Sequence, residues 1–197
     1  MNNSPIGVYD SGFGGLSVWR EIHRRLPEES LLYLGDGKNC PYGGRSREEI
    51  TAFARGAVER FISGGVKVVV VGCNSATTAA VEALRAEWPD IPIVGLEPAV
   101  KPACLSSHTR RIAVLATAHS LQSDMFLNTA RRYAADVEVI KVEGRGFVEL
   151  VEASEEDSPK AERLVREVVE PLLDKGIDRI VLGCTHYPFL VPHIERV

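Results

Sequence analysis

The sequence predicts an α/β fold of two pseudo-symmetric lobes with mostly parallel sheets, with a ligand site in the cleft between them. Three observations carry this prediction. Short apolar runs alternate with amphipathic stretches along the chain, the pattern of strands joined by crossover helices. The run Val66 to Val71 is almost continuously β-branched, as expected of a strand buried on both faces. Finally, Gly65-Val66-Lys67-Val68-Val69-Val70-Val71-Gly72-Cys73 aligns without gaps on Gly176-Ile177-Asp178-Arg179-Ile180-Val181-Leu182-Gly183-Cys184. A preference for glycine at strand ends explains the glycines of this echo but not both cysteines. The expected domains are 1–97 for the first lobe and 98–197 for the second.

The elements follow in order. Ile6 to Tyr9 reads as a short strand ended by the turn Asp10-Ser11-Gly12, and Leu16, Trp19, Ile22 and Leu26 then recur at helical spacing. Leu31 to Leu34 is a second strand, followed by a loop, Gly35 to Gly44, rich in Gly, Pro and Asn. Ser46 and Glu49 form a capping box. Behind it Ile50, Phe53, Ala54, Ala57, Val58 and Phe61 make one apolar helix face. A helix is predicted over 75–88 and a strand over 91–94. Ile112 to Leu115 with Ala116-Thr117 weakly repeats Ile6 to Tyr9 with Asp10-Ser11. Ser158-Pro159 opens a helix, N-cap then proline at N1, that runs to Leu173. Ile177 to Leu182 is the last strand.

With 197 residues, 45% hydrophobic, the chain can bury one substantial core or two small ones. A net charge of −4 gives no global attraction to nucleic acid or to an anionic membrane. No apolar run approaches the roughly 20 residues a bilayer span needs. The opening Met1-Asn2-Asn3-Ser4-Pro5 has neither the basic nor the apolar region of a signal peptide, so a cytoplasmic protein is expected. The four cysteines then read as reduced thiols. A homodimer is compatible with this composition.

Ligands of open α/β sheets bind outside the carboxyl ends of the strands, where Cys73 and Cys184 both fall. Backbone N–H groups at such a strand-to-helix junction favour anions, so these thiols are expected to lean toward thiolate. Two sulfurs approaching one carbon from opposite sides is the arrangement that stereoinversion requires, one taking a proton and the other returning it. A thiol with an ordinary pKa of about 8.5 serves in either part. Each has a candidate helper: His186 lies two residues after Cys184, and Asp10 ends a strand expected beside Val66 to Val71. Ser11, Asn74, Ser75 and Thr185 supply polar contacts for a small acidic amino acid, and the loop Asn39-Cys40-Pro41-Tyr42-Gly43-Gly44 could cover them.

Competing readings are weaker. Cys73, Cys184 and His186 could ligate zinc, but Cys-x-His is not a usual spacing and no second pair accompanies it, so no metal is assigned. Gly12-Phe13-Gly14-Gly15 matches no phosphate-loop pattern and reads as a tight turn into a helix. Cys40 is a loop thiol and Cys104 a small apolar filler. His23, His108, His119 and His193 lack any partner pattern and are expected on the surface or in helices. Glu152 reads as part of a solvated helix face, and Glu155-Glu156-Asp157 as a solvated loop.

The motifs Asp10-Ser11-Gly12-Phe13-Gly14-Gly15-Leu16, Pro41-Tyr42-Gly43, Gly72-Cys73-Asn74-Ser75-Ala76-Thr77 and Gly183-Cys184-Thr185-His186-Tyr187-Pro188 resemble those of the glutamate racemases, within the aspartate/glutamate racemase family. The resemblance runs over nearly the whole chain in the expected order. It implies an isomerase without cofactor that interconverts L- and D-glutamate and supplies D-glutamate for peptidoglycan. It further implies that Cys73 works on the D-enantiomer and Cys184 on the L-enantiomer. Asp10 and His186 would assist the thiols, with Glu152 as a further candidate. Substrate contacts would fall on Asp10, Ser11, Tyr42, Gly43, Asn74, Ser75, Thr185 and His186, and Thr117 with Ser120 fits a looser family motif. Members of the family continue several tens of residues past the second cysteine motif, and that tail completes the first lobe. Its absence here leads to the expectation of exposed apolar surface on the first lobe, with lowered stability or activity. Alternatives are aspartate racemase or another racemase of the superfamily, a single-thiol decarboxylase, and a non-catalytic amino-acid-binding module.

Overall fold

A computed structural model describes residues 3–197, which divide between Leu96 and Glu97 into two compact units. In the first unit, β1 (Ile6–Asp10), α1 (Leu16–Arg25), β2 (Leu31–Gly35), α2 (Arg47–Ser63), β3 (Val68–Val71), α3 (Asn74–Glu87) and β4 (Ile93–Gly95) follow in turn. Their four strands form one parallel sheet in the order β2-β1-β3-β4. The second unit runs through α4 (Val100–Ser106), β5 (Arg111–Ala116), α5 (Ala118–Gln122), α6 (Asp124–Tyr133) and β6 (Glu138–Glu143). It continues with α7 (Phe147–Glu152), α8 (Pro159–Leu173), β7 (Arg179–Gly183), a 3-10 turn (Tyr187–Leu190) and α9 (Val191–Ile194). Its parallel sheet has the order β6-β5-β7.

The echo in the sequence is an echo in topology. The order β6-β5-β7 reproduces β2-β1-β3, with the cysteine-bearing strand on the same side of the strand that starts each series. Register agrees as well: Tyr9 pairs with Val71, and Leu115 with Leu182. Ser11 and Thr117 therefore occupy corresponding positions, each just past the strand beside the cysteine. Both glycines that precede the cysteines lie against the neighbouring strand. A Cβ on Gly183 would stand 2.8 Å from the Ala116 Cβ, and one on Gly72 would stand 3.3 Å from the Tyr9 carbonyl oxygen.

Local signals hold in detail. The Ser46–Glu49 capping box opens α2, whose Ile50, Ala54, Ala57, Val58 and Phe61 are buried. Ser158 caps α8 with Pro159 in the first turn. Several boundaries are shorter than predicted. β3 starts at Val68, because Val66 N–H donates back to the Phe61 carbonyl of α2 and Lys67 N–H to the Pro5 carbonyl. β4 starts at Ile93, since Pro92 has no N–H to give a ladder. Strand β6 carries Glu138, Lys141 and Glu143 at an edge, and no continuous apolar run announces it.

The two faces of the first sheet are covered unequally. One lies under α2 and α3, which pack on each other, and the absent Cβ of Gly7 leaves room there for Phe61. The other carries Ile6, Val8 and Val70, met by Val18, Trp19 and Ile22 of α1. No residue of α1 is fully buried, and Val94, on the same face as Val8 and Val70 by register, is 45% exposed. In the second unit Val100, Cys104, Ile112, Val114, Phe126 and Val181 share one cluster. Cys104 is thus the apolar filler that the sequence suggested.

Candidate active site

Each unit presents a buried thiol just past the carboxyl end of a parallel strand. In the first, β3 ends at Val71, Gly72 turns away, and Cys73 becomes the N-cap of α3. Its Sγ accepts from the Ala76 N–H at 3.4 Å and donates to the Ser11 hydroxyl, also at 3.4 Å. Ser11 is delivered by β1, which pairs with β3 and ends in the fully buried Asp10. Gly12 N–H donates to the Asp10 carboxylate at 3.1 Å. Gly15 is required at its position, because a Cβ there would lie 2.4 Å from the Asp10 Cβ.

The expectation of a thiolate at Cys73 is corrected by this environment. The residue is 5% exposed, and burial pushes the thiol up to about 12, with the Asp10 carboxylate adding to the shift. The Ser11 hydroxyl and the N–H groups of Ala76 and Ser11 pull the other way and do not compensate. The first turn of α3 is a weaker influence here than loss of water. Beside Cys73, Asn74 and Ser75 are both buried, and the Asn74 side-chain oxygen has no hydrogen-bond partner.

Tyr42 lies in the same unit, but its hydroxyl faces inward. It sits 2.5 Å from the Tyr9 hydroxyl and donates to Asp36 at 2.6 Å, while Asn39 donates to both Asp36 oxygens. Burial raises both phenols well above the ordinary tyrosine value, so both keep their protons. Gly43 follows in the turn after Tyr42. Tyr9 and Asp36, which complete this network, were not singled out from the sequence. Tyr9 alternates to the opposite face from Asp10, and Asp36 looks like any loop carboxylate.

In the second unit β7 ends at Gly183, and Cys184, Thr185 and His186 are all buried. The Cys184 Sγ is 3.6 Å from His186 Nδ1, and His186 Nε2 is 2.5 Å from the Glu152 carboxylate. An ionised Glu152 fixes the imidazole hydrogen on Nε2, which leaves the Nδ1 lone pair toward the sulfur. This is the nucleophile–base–orienter geometry of an activated thiol. Glu152 ends α7, and the solvated helix face expected for it is corrected: its side chain is only 20% exposed and is committed to His186. Thr117 caps α5 and donates to the Ser120 hydroxyl at 3.1 Å, beside the end of β5. His193, for which the sequence shows no partner pattern and which is expected on the surface or in a helix, has a partner in the structure. It is in α9, but it is 5% exposed and bonded through Nε2 to the Glu156 carbonyl at 2.8 Å.

Among the described residues no helix is long and apolar enough to cross a membrane. The fold and site define an α/β protein of two parallel-sheet units, each ending its cysteine strand in a thiol with its own polar partners. Residues 6–197 match the family described as Asp/Glu/Hydantoin racemase, and the chain belongs to that family. It is 47% identical over 193 residues to a glutamate racemase of Roseiflexus, covering 98% of this chain and 71% of the relative. Among solved structures, glutamate racemase of Escherichia coli in complex with L-glutamate and the activator UDP-MurNAc-ala superposes with a TM-score of 0.90. It is 31% identical, and the match covers 98% of this chain and 74% of that one. The Francisella tularensis glutamate racemase in complex with D-glutamate gives a TM-score of 0.85 at 29% identity, over 100% and 74% of the two chains.

Proposed function

We propose that the chain racemises glutamate by a two-thiol mechanism, supplying D-glutamate for peptidoglycan synthesis. The observation that carries this reading is the strand-end thiol repeated in both units with different partners, Ser11 and Asp10 for Cys73, His186 and Glu152 for Cys184. In the L-to-D direction Cys184 takes the α-proton while His186 receives or shares the thiol proton, and Cys73 returns a proton to the other face. The reverse direction exchanges the roles. An α-proton is far less acidic than a thiol, so positioning and preorganised charge must supply most of the rate.

The polar shell suits a zwitterionic diacid. Asn74 holds a buried acceptor without a partner, which costs about 1–3 kcal/mol until a donor arrives. The substrate ammonium supplies that donor, and its charge also opposes the Asp10 carboxylate that helps keep Cys73 protonated. Ser11, Ser75, Thr185 and His186 complete the contacts, with Thr117 as an auxiliary. Tyr42 spends its hydroxyl on Tyr9 and Asp36, so we assign its contact, with that of Gly43, to the backbone. Glutamate is favoured over aspartate by the 47% identical relative, a glutamate racemase.

The test is incubation with D-glutamate in deuterated water without pyridoxal phosphate. L-glutamate carrying α-deuterium is expected, with turnover lost in Cys73→Ser and in Cys184→Ser. Absence of exchange in the folded chain, or an unchanged rate in either variant, overturns the reading. A parallel assay on aspartate separates the two substrates, and retained binding without exchange would identify a binding module.

A further inference from the structure

Two segments of the second unit meet along a pair of hydrogen bonds. One runs from Cys184 through the 3-10 turn into α9 and carries His186 and His193. The other leaves α7 and crosses to Ser158, carrying Glu152 and Glu156. His186 Nε2 meets the Glu152 carboxylate, and His193 Nε2 meets the Glu156 carbonyl. The crossing itself is tight: Ser154 adopts a left-handed φ of 55°, and Glu155 N–H returns to the Leu150 carbonyl. A non-glycine residue in that region is held there by its surroundings.

His193 spends buried surface on this contact. Its Nε2 must carry the hydrogen, because its partner is a carbonyl, and its Nδ1 is buried without any partner. A buried imidazole with one nitrogen unsatisfied is a cost that packing alone does not require. α9 packs on α8, and the 3-10 turn packs on α7, so the Glu156–His193 bond ties the crossing to a segment that meets the helices at both of its ends.

We propose that His193 is a positioning residue for Cys184. Its bond to the Glu156 carbonyl holds the crossing in place, which keeps the Glu152 carboxylate on His186 and so keeps Nδ1 toward the sulfur. This rests on the racemase reading for its consequence in turnover, but not for its effect on the thiol.

The test compares His193→Phe, which fills the space without a donor, with His193→Gln, whose amide N–H reaches the same carbonyl. Alkylation of Cys184 by iodoacetamide is expected to slow about fivefold in His193→Phe, the equivalent of one neutral hydrogen bond. Cys73 alkylation should stay unchanged, and His193→Gln should recover most of the loss. In glutamate turnover His193→Phe should lower kcat about fivefold with KM unchanged. The downfield Nε2 proton resonance of His186, read by NMR, should broaden or move in His193→Phe and persist in His193→Gln. A measurement on the unsubstituted protein covers the case in which His193→Phe does not fold. The Nε2 protons of His186 and His193 should exchange with solvent at rates within about fivefold of each other, since one opening frees both.

Wild-type Cys184 reactivity in His193→Phe, failure of His193→Gln to rescue, or independent exchange of the two protons overturns the proposal. If glutamate is not turned over by the wild type, the function reading fails, while alkylation and resonance still decide the role of His193.

Discussion

At Cys73 two opposing influences act on one sulfur, and their relative size decides how the residue behaves before a ligand arrives. Three hydrogen bonds and a helix start favour the thiolate, yet burial and the neighbouring Asp10 carboxylate outweigh them. The acid form is the favoured one, so it persists through neutral pH and gives way only as pH rises toward about 12. In the ligand-free protein the alkylation rate of Cys73 should therefore rise about tenfold per pH unit above neutrality, without levelling in the ordinary thiol range. A plateau near the usual value of about 8.5 would contradict this assignment. Cys184, with an imidazole at 3.6 Å, has a local proton acceptor that Cys73 lacks among the contacts described for it. The two thiols thus sit in different environments.

The strand ends depend on close approach between elements as much as on the residues that react. Gly15 lets the start of α1 lie on Asp10, and Gly15→Ala places a carbon 2.4 Å from the Asp10 Cβ. Because this contact is with a buried, bonded side chain, we expect a loss of about 1–3 kcal/mol in stability together with a fall in turnover. Denaturant unfolding and the exchange assay measure the two effects; a neutral outcome in both would show that Asp10 can shift freely. Elements of this kind were legible where burial is two-sided. The β-branched run before Cys73 and its echo before Cys184 mark strands that must be apolar on both faces. The edge strand β6 lacked that signature because none of its residues is fully buried. The partners of Glu152 and His193 were not legible either. Each lies more than thirty residues away along the chain, and for His193 the partner is a backbone carbonyl, which has no sequence identity.

Over the whole molecule, the chain spans 71–76% of the length of its curated relatives, and the first unit has one thinly covered sheet face. On that face Val94 is exposed and no residue of α1 is fully buried. The 197-residue chain should then bind an apolar dye such as anilinonaphthalene sulfonate in its native state, with the signal lowered by Val94→Lys. A native chain that excludes the dye would show that α1 is sufficient cover.

The shared strand order of the two units also bears on how such a protein can come to exist. A β-α-β-α-β unit copied within one gene produces two equivalent positions that then mutate separately. Two identical half-length subunits would be compelled to carry the same residues at both. Ser11 and Thr117 hold corresponding positions, while the partners of the cysteines are a carboxylate and serine in one unit and a histidine and glutamate in the other. A single polypeptide carrying both units is free of that constraint, and each thiol here has partners of its own.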